Sequence, residues 1–231
     1  MPLVFLLSVD SSGIVIGQFL FDYVTDVQCW TTMNRINTRK AANIVSFGLN
    51  APAVALITFL VLLAGKNTSR FWPDFIVTAS FGIILPLLIL YYLRKRGVIA
   101  DFFASNKRGR LIPFVGAIAS YVVGTAVLLL VGASPIIIAV MFCYFGNSFV
   151  MMVITLKWKI SIHTSGITGP ATALVYLQGF VWSPFFLLAI PVGWARMKLG
   201  AHTLDQVIAG AVLTIATTWL QLEILLNHIF V

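Results

Sequence analysis

The chain has 231 residues, of which 60% are hydrophobic and only 10% charged, with a formal net charge of +8. A water-soluble domain carries nearer one-quarter charged residues, so that class is excluded and a polytopic membrane protein is expected. Cys29 falls in a polar loop and Cys143 in an apolar run; a bridge between them is not expected.

The N-terminal stretch MPLVFLLSVDSSGIVIGQFLFDYV lacks a basic n-region and carries Asp10, which makes it a poor signal peptide. Asp10 and Asp22 leave half-insertion and lying on the membrane surface both open. A crossing helix needs about 20 mostly apolar residues, and such spans are predicted at 43–64, 73–93, 111–131 and 134–155. Gly65, Gly97 and Gly132 with Ser134-Pro135 mark the turns. A hairpin of two shorter segments, 166–181 and 184–197, is divided by GFVWSPF at 179–185, and a last span follows at 206–227. The expected fold is an all-α polytopic membrane protein. It is a six-helix transmembrane bundle over 41–231, with an additional N-terminal apolar segment and basic loop over 1–40.

The break at 179–185 puts the loops around 157–163 and 196–203 on the face that bears 94–110. That face receives Arg35, Arg39, Lys40, Arg94, Lys95, Arg96, Lys107, Arg108, Arg110, Lys157, Lys159, Arg196 and Lys198. The opposite face keeps Lys66 and Arg70. By the positive-inside rule the basic face is cytoplasmic.

Two of the three histidines lie on that face, His163 in KWKISIHTSGITGP and His202 in ARMKLGAHTLDQVIAG. His228, near the C-terminus, is read as a residue at headgroup level. His163 and His202 each stand just before a predicted helix start. Thr164 or Ser165 with Pro170 signals the first, and Thr203 as N-cap with Gln206 at N3 signals the second. A helix N-terminus attracts anions and disfavours imidazolium, keeping a histidine neutral and able to attack. Two such histidines among several bases suit phosphoryl transfer, which is mainly positioning and electrostatics. The other reading makes the bases interfacial anchors and the histidines helix-start residues. Glu223 is the one glutamate, and there is neither an HExxH nor an Asp/Glu cluster, so no metal or other cofactor is expected.

Taken together, these residues resemble the type-2 phosphatidic acid phosphatase family of membrane lipid-phosphate phosphatases, with the motifs K-x6-R-P, P-S-G-H and S-R-x5-H-x3-D. Arg196 and His202 stand in the R-x5-H register of the third, with Ala195 for its serine and Gln206 at the aspartate position; Asp205 is one place early. The H-T-x-x-Q-V pattern looks like dolichyl-diphosphatase-type members. ISIH at 160–163 keeps Ser161 and His163 of the second motif. NKRGRLIPF at 106–114 offers Lys107, Arg108, Arg110 and Pro113 as a compressed first motif.

The resemblance implies that His202 is the nucleophile and forms a phosphohistidine. His163 would be the acid and then the base. Arg196, Lys107, Arg110 and Ser161 would hold the phosphate. Gln206, helped by Asp205, would orient His202, although Gln206 as a mere helix cap is an equal alternative. The implied substrate is a lipid phosphate within the bilayer, an isoprenoid or glycerolipid ester, acted on without a metal. The partners expected are that lipid and the membrane, with no nucleic acid. A non-catalytic lipid-binding or transport protein of the same fold and a lipid phosphotransferase are the competing classes.

Overall fold

The first apolar run breaks at Asn50. Residues 36–48 are helical (α1), and α2 (Ala51–Ala64) starts immediately afterwards. Asn50 caps α2: its Oδ1 accepts the backbone N–H of Ala53 at 2.9 Å, with Pro52 in the first turn. The single span expected over 43–64 is therefore two helices. The computed structural model describes residues 36–64, 69–99 and 111–230. The chain divides into two units, Met1–Ala41 and Ala42–Val231. Of the first, the described residues 36–41 are helical; the rest of the expected N-terminal segment lies outside the described residues. Every contact given below is within the second unit.

The next span changes register in its middle. α3 (Phe71–Ala79) passes through a π-helical segment, Ser80–Ile84, into α4 (Leu85–Lys95). The cause lies in Pro86. Leu85 donates its N–H to Ser80 O, five residues back. In the same register Phe81 O would look to Pro86, which has no N–H to give. The hydroxyl of Ser120 on α5 (Leu111–Leu130) fills the vacancy, donating to Phe81 O at 2.6 Å. Gly124, one turn further along α5, lets the two helices approach: a Cβ there would meet Phe81 Cβ at 2.6 Å.

α6 (Pro135–Lys157) begins at the predicted Ser134-Pro135 signal, with Ser134 as N-cap and Gly132 turning the chain at φ 65°. The hairpin then forms as α7 (Ile162–Gln178), a 3-10 helix (Phe180–Leu188) and α8 (Ala189–Lys198). Its break is the single residue Gly179, at φ 95°, rather than the whole of 179–185. The 3-10 helix rises about 2.0 Å per residue against about 1.5 Å for an α-helix. It therefore stretches the returning arm, and Phe180–Lys198 becomes long enough to cross. The chain ends in α9 (Leu204–Ile224) and a π-helical turn, Leu225–Ile229.

Among the described residues there is no strand, and six helical segments are long and apolar enough to span a membrane. The protein is an all-α polytopic bundle. Hydrophobicity cannot sort helices surrounded by lipid, so close packing and interhelical hydrogen bonds must do so. α7 and α9 run parallel: Thr164 Oγ1 donates to Val207 O at 3.1 Å, Ser165 and Thr214 hydroxyls share a hydrogen bond at 2.6 Å, and Tyr176 reaches Glu223 at 2.7 Å. Glycines set their spacing. A Cβ at Gly210 would meet Ser161 O at 2.5 Å, and one at Gly193 on α8 would meet Val207 at 2.7 Å. Gly166 packs directly on Ala51, which seats the start of α2 against α7.

Candidate functional site

The parallel run of α7 and α9 brings their N-termini to one end of the bundle. A main-chain bond ties them: Ser161 N donates to Gln206 O at 3.1 Å. The neighbouring helices present their C-termini there, and these end in bases: Arg94 and Lys95 on α4, Lys157 on α6, Arg196 and Lys198 on α8. Cations suit the negative end of a helix dipole. Two positive helix starts and these side chains give one end of the bundle a field that favours an anion.

The spacing between Arg196 and His202 follows from how α8 ends. Gly200 sits at φ 68°. Its N–H bonds Met197 O at 2.9 Å, and Ala201 N–H bonds Arg196 O at 3.0 Å. This is the Schellman pattern, in which glycine takes the left-handed position. The next residue, His202, also points its N–H at Arg196 O, at 3.3 Å. Five intervening residues are what a helix end, a left-handed turn and the next helix start require. Arg196 is 1% exposed, the largest of the fully buried side chains, and its Nη1 donates to Ser46 Oγ on α1 at 3.2 Å.

His202 is buried. Its Nδ1 lies 3.0 Å from Gln206 Oε1, and the same oxygen accepts the backbone N–H of Thr203 at 3.3 Å. Thr203 and Gln206 form a capping box, so the bond to the helix cap and the bond to His202, expected as alternatives, are made together by one oxygen. Asp205, expected to help, is exposed and has no hydrogen bond or ion pair to His202 among the described residues. One residue along a helix is about 100° around it, which turns this carboxylate away from the face Gln206 occupies.

His163 is placed differently from the expectation. α7 starts at Ile162, with Ser161 rather than Thr164 or Ser165 as N-cap; Ser161 Oγ accepts Thr164 N–H at 3.5 Å. His163 is therefore inside the first turn and half-buried, not ahead of the helix. Ser161 is fully buried and serves the helix start. Lys107 and Arg110 lie outside the described residues. The sequence reading missed Ser46, whose partner is 150 residues away. It also missed Asn147, which bonds Thr217, Thr218 and Gln221 of α9 from the middle of α6. A polar residue inside an apolar run was the available signal for Asn147.

No group of three or more His, Cys, Asp or Glu side chains comes together among the described residues. Compared with protein-family models, curated proteins and solved structures, the chain has no match.

Proposed function

We propose that the chain is a membrane-embedded, metal-independent lipid phosphate phosphatase. It would cleave a phosphomonoester or diphosphate of an isoprenoid or glycerolipid through a phosphohistidine at His202. The observation that carries this reading is the relay from Thr203 to Gln206 to His202. A backbone N–H only donates, so the bond from Thr203 fixes which end of the Gln206 amide is oxygen. That oxygen only accepts, so Nδ1 of His202 carries a proton, and Nε2 is the ring nitrogen that would attack. An imidazole oriented in this way is, in its neutral form, an activated nucleophile.

In the reaction, Nε2 forms a bond to phosphorus as the bond to the lipid oxygen breaks, and His163 delivers a proton to that oxygen. Water then attacks the phosphohistidine while His163 takes its proton, and the P–N bond breaks to release phosphate. Arg196, Lys107 and Arg110 supply positive charge as the equatorial oxygens gain negative charge. The basic bias supports a cytoplasmic position for this end of the bundle.

The test is release of inorganic phosphate from farnesyl diphosphate and from phosphatidate by purified protein in detergent. Release abolished in His202→Ala supports the reading. Equal background from wild type and variant with both substrates would leave a non-catalytic lipid-binding protein. Phosphate passed to an added acceptor instead of water would make it a phosphotransferase. Cysteines introduced at Ser105 and Ser183 are expected to be labelled from opposite sides of the membrane; labelling of both from one side would overturn the shared face.

A further inference from the structure

Arg196 is tied through both its backbone and its side chain. Its carbonyl oxygen accepts the N–H groups of Ala201 and His202, so the turn leading to His202 is anchored on it. Its side chain reaches α1, where Nη1 donates to Ser46 Oγ at 3.2 Å. Arg196 and Ser46 are both fully buried.

The bond sits beside an apolar joint. Val54 of α2, Ile167 of α7 and Val192 of α8 form one buried cluster, and Leu49 packs against it. Leu49 follows Ser46 by three residues, and its N–H bonds Val45 O at 2.9 Å, so the last helical turn of α1 reaches it. Val192 precedes Arg196 by four residues on α8. Residues three or four apart lie on one helix face. Ser46 and Arg196 therefore meet on the same faces whose apolar members pack in the joint. Gly166, packed on Ala51, closes that joint from α7. Ser46 Oγ is thus an acceptor fixed in place by three helices.

A fixed acceptor matters to an arginine. The guanidinium is always charged, and its donors form a rigid planar fork that matches two phosphate oxygens in one orientation. Its long stem has large rotamer freedom, which is lost when an anion binds. A bond at Nη1 restricts the stem beforehand. A serine hydroxyl is neutral, so it orients the fork without cancelling the charge that attracts the anion.

We propose that Ser46 is a positioning residue of the anion site, holding the Arg196 guanidinium in the orientation that receives a phosphate group. This makes α1 part of the site. It rests on the reading that Arg196 binds phosphate, and it requires no turnover.

The experiment uses the full chain in detergent with inorganic phosphate as the probe. Affinity is read from the rise of Tm with phosphate concentration, against sodium chloride at matched ionic strength. Wild type, Ser46→Ala, Arg196→Lys and the double variant form a cycle. Ser46→Ala alone is expected to weaken phosphate binding about two- to tenfold, the range of one hydrogen bond. In the Arg196→Lys background the same change is expected to cost less than about twofold, because an ammonium is a point charge with no plane to orient. Equal weakening in both backgrounds would make Ser46 a packing residue of α1 and overturn the assignment. Wild-type affinity in Ser46→Ala would overturn it as well, and so would a wild type whose Tm does not respond to phosphate. Phosphate release from farnesyl diphosphate is measured on the same preparations. Coupling without release would support the positioning role and remove the phosphatase; release without coupling would do the reverse.

Discussion

His163 and His202 stand at the starts of two parallel helices, yet the two positions are built differently. His202 lies just ahead of its helix, after a Schellman turn, with its ring nitrogen held by Gln206. His163 lies inside its helix, after the cap, on a turn whose N–H groups are organised by Ser161. A ring ahead of the cap can be gripped by the N3 side chain, because that side chain already reaches back to the N-cap. A ring inside the first turn lies beyond the reach of that capping side chain, and His163 is half-buried on α7 itself. His202 is held by the cap of the helix it precedes, whereas His163 is part of the helix that carries it.

The largest effect should come from the gripped ring. His202→Ala is expected to lower phosphate release at least about 10⁴-fold, as for residues that act as a unit in covalent catalysis, with no phosphohistidine trapped on rapid acid-free quenching. His163→Ala should lower it about 10²- to 10⁴-fold. The loss should shrink for a p-nitrophenyl ester, whose leaving group needs no proton; an equal loss for both esters would remove the asymmetry. Gln206→Ala is expected to reduce kcat about tenfold, the worth of one hydrogen bond to the reacting ring, while Gln206→Glu retains an acceptor and most of the rate. Gly200→Ala forces a Cβ into a left-handed turn and should destabilise by about 1–2 kcal/mol, seen as a lower Tm in detergent. Asp205→Asn should change the rate less than about twofold, since that carboxylate faces away from His202; a larger fall would assign it a share of the orienting role.

Hydropathy alone made most of the spans legible, because a crossing helix in this chain is simply a long apolar run. It was blind where one residue decided the matter. Asn50 ends one helix and caps the next, and its signal, a capping side chain two places before a proline, was drowned by the apolar window around it. The π-helical register at Ser80–Ile84 was not legible either, since Pro86 only becomes informative once Ser120 is known to be opposite. At the candidate site, the Arg196–His202 interval was readable because it is local geometry: a helix end, a left-handed glycine and a new start. Ser161, Thr164 and Ser165 all have capping side chains, and sequence offered no way to choose among them; the bond from Ser161 N to Gln206 O favours the first. Ser46 could not have been found, because nothing local links a serine on α1 to an arginine on α8.

The exchange between Pro86 and Ser120 bears on assembly order. The helix containing Phe81 leaves the ribosome before α5 does, and in lipid its spare carbonyl has no water to turn to. It stays unanswered until Ser120 arrives, so the second crossing segment is incomplete as a solitary helix and becomes self-consistent only as a pair. A proline has in effect made two neighbouring crossings a single insertion unit, and Ser120→Ala should show itself first in the yield of folded protein rather than in the rate of any reaction.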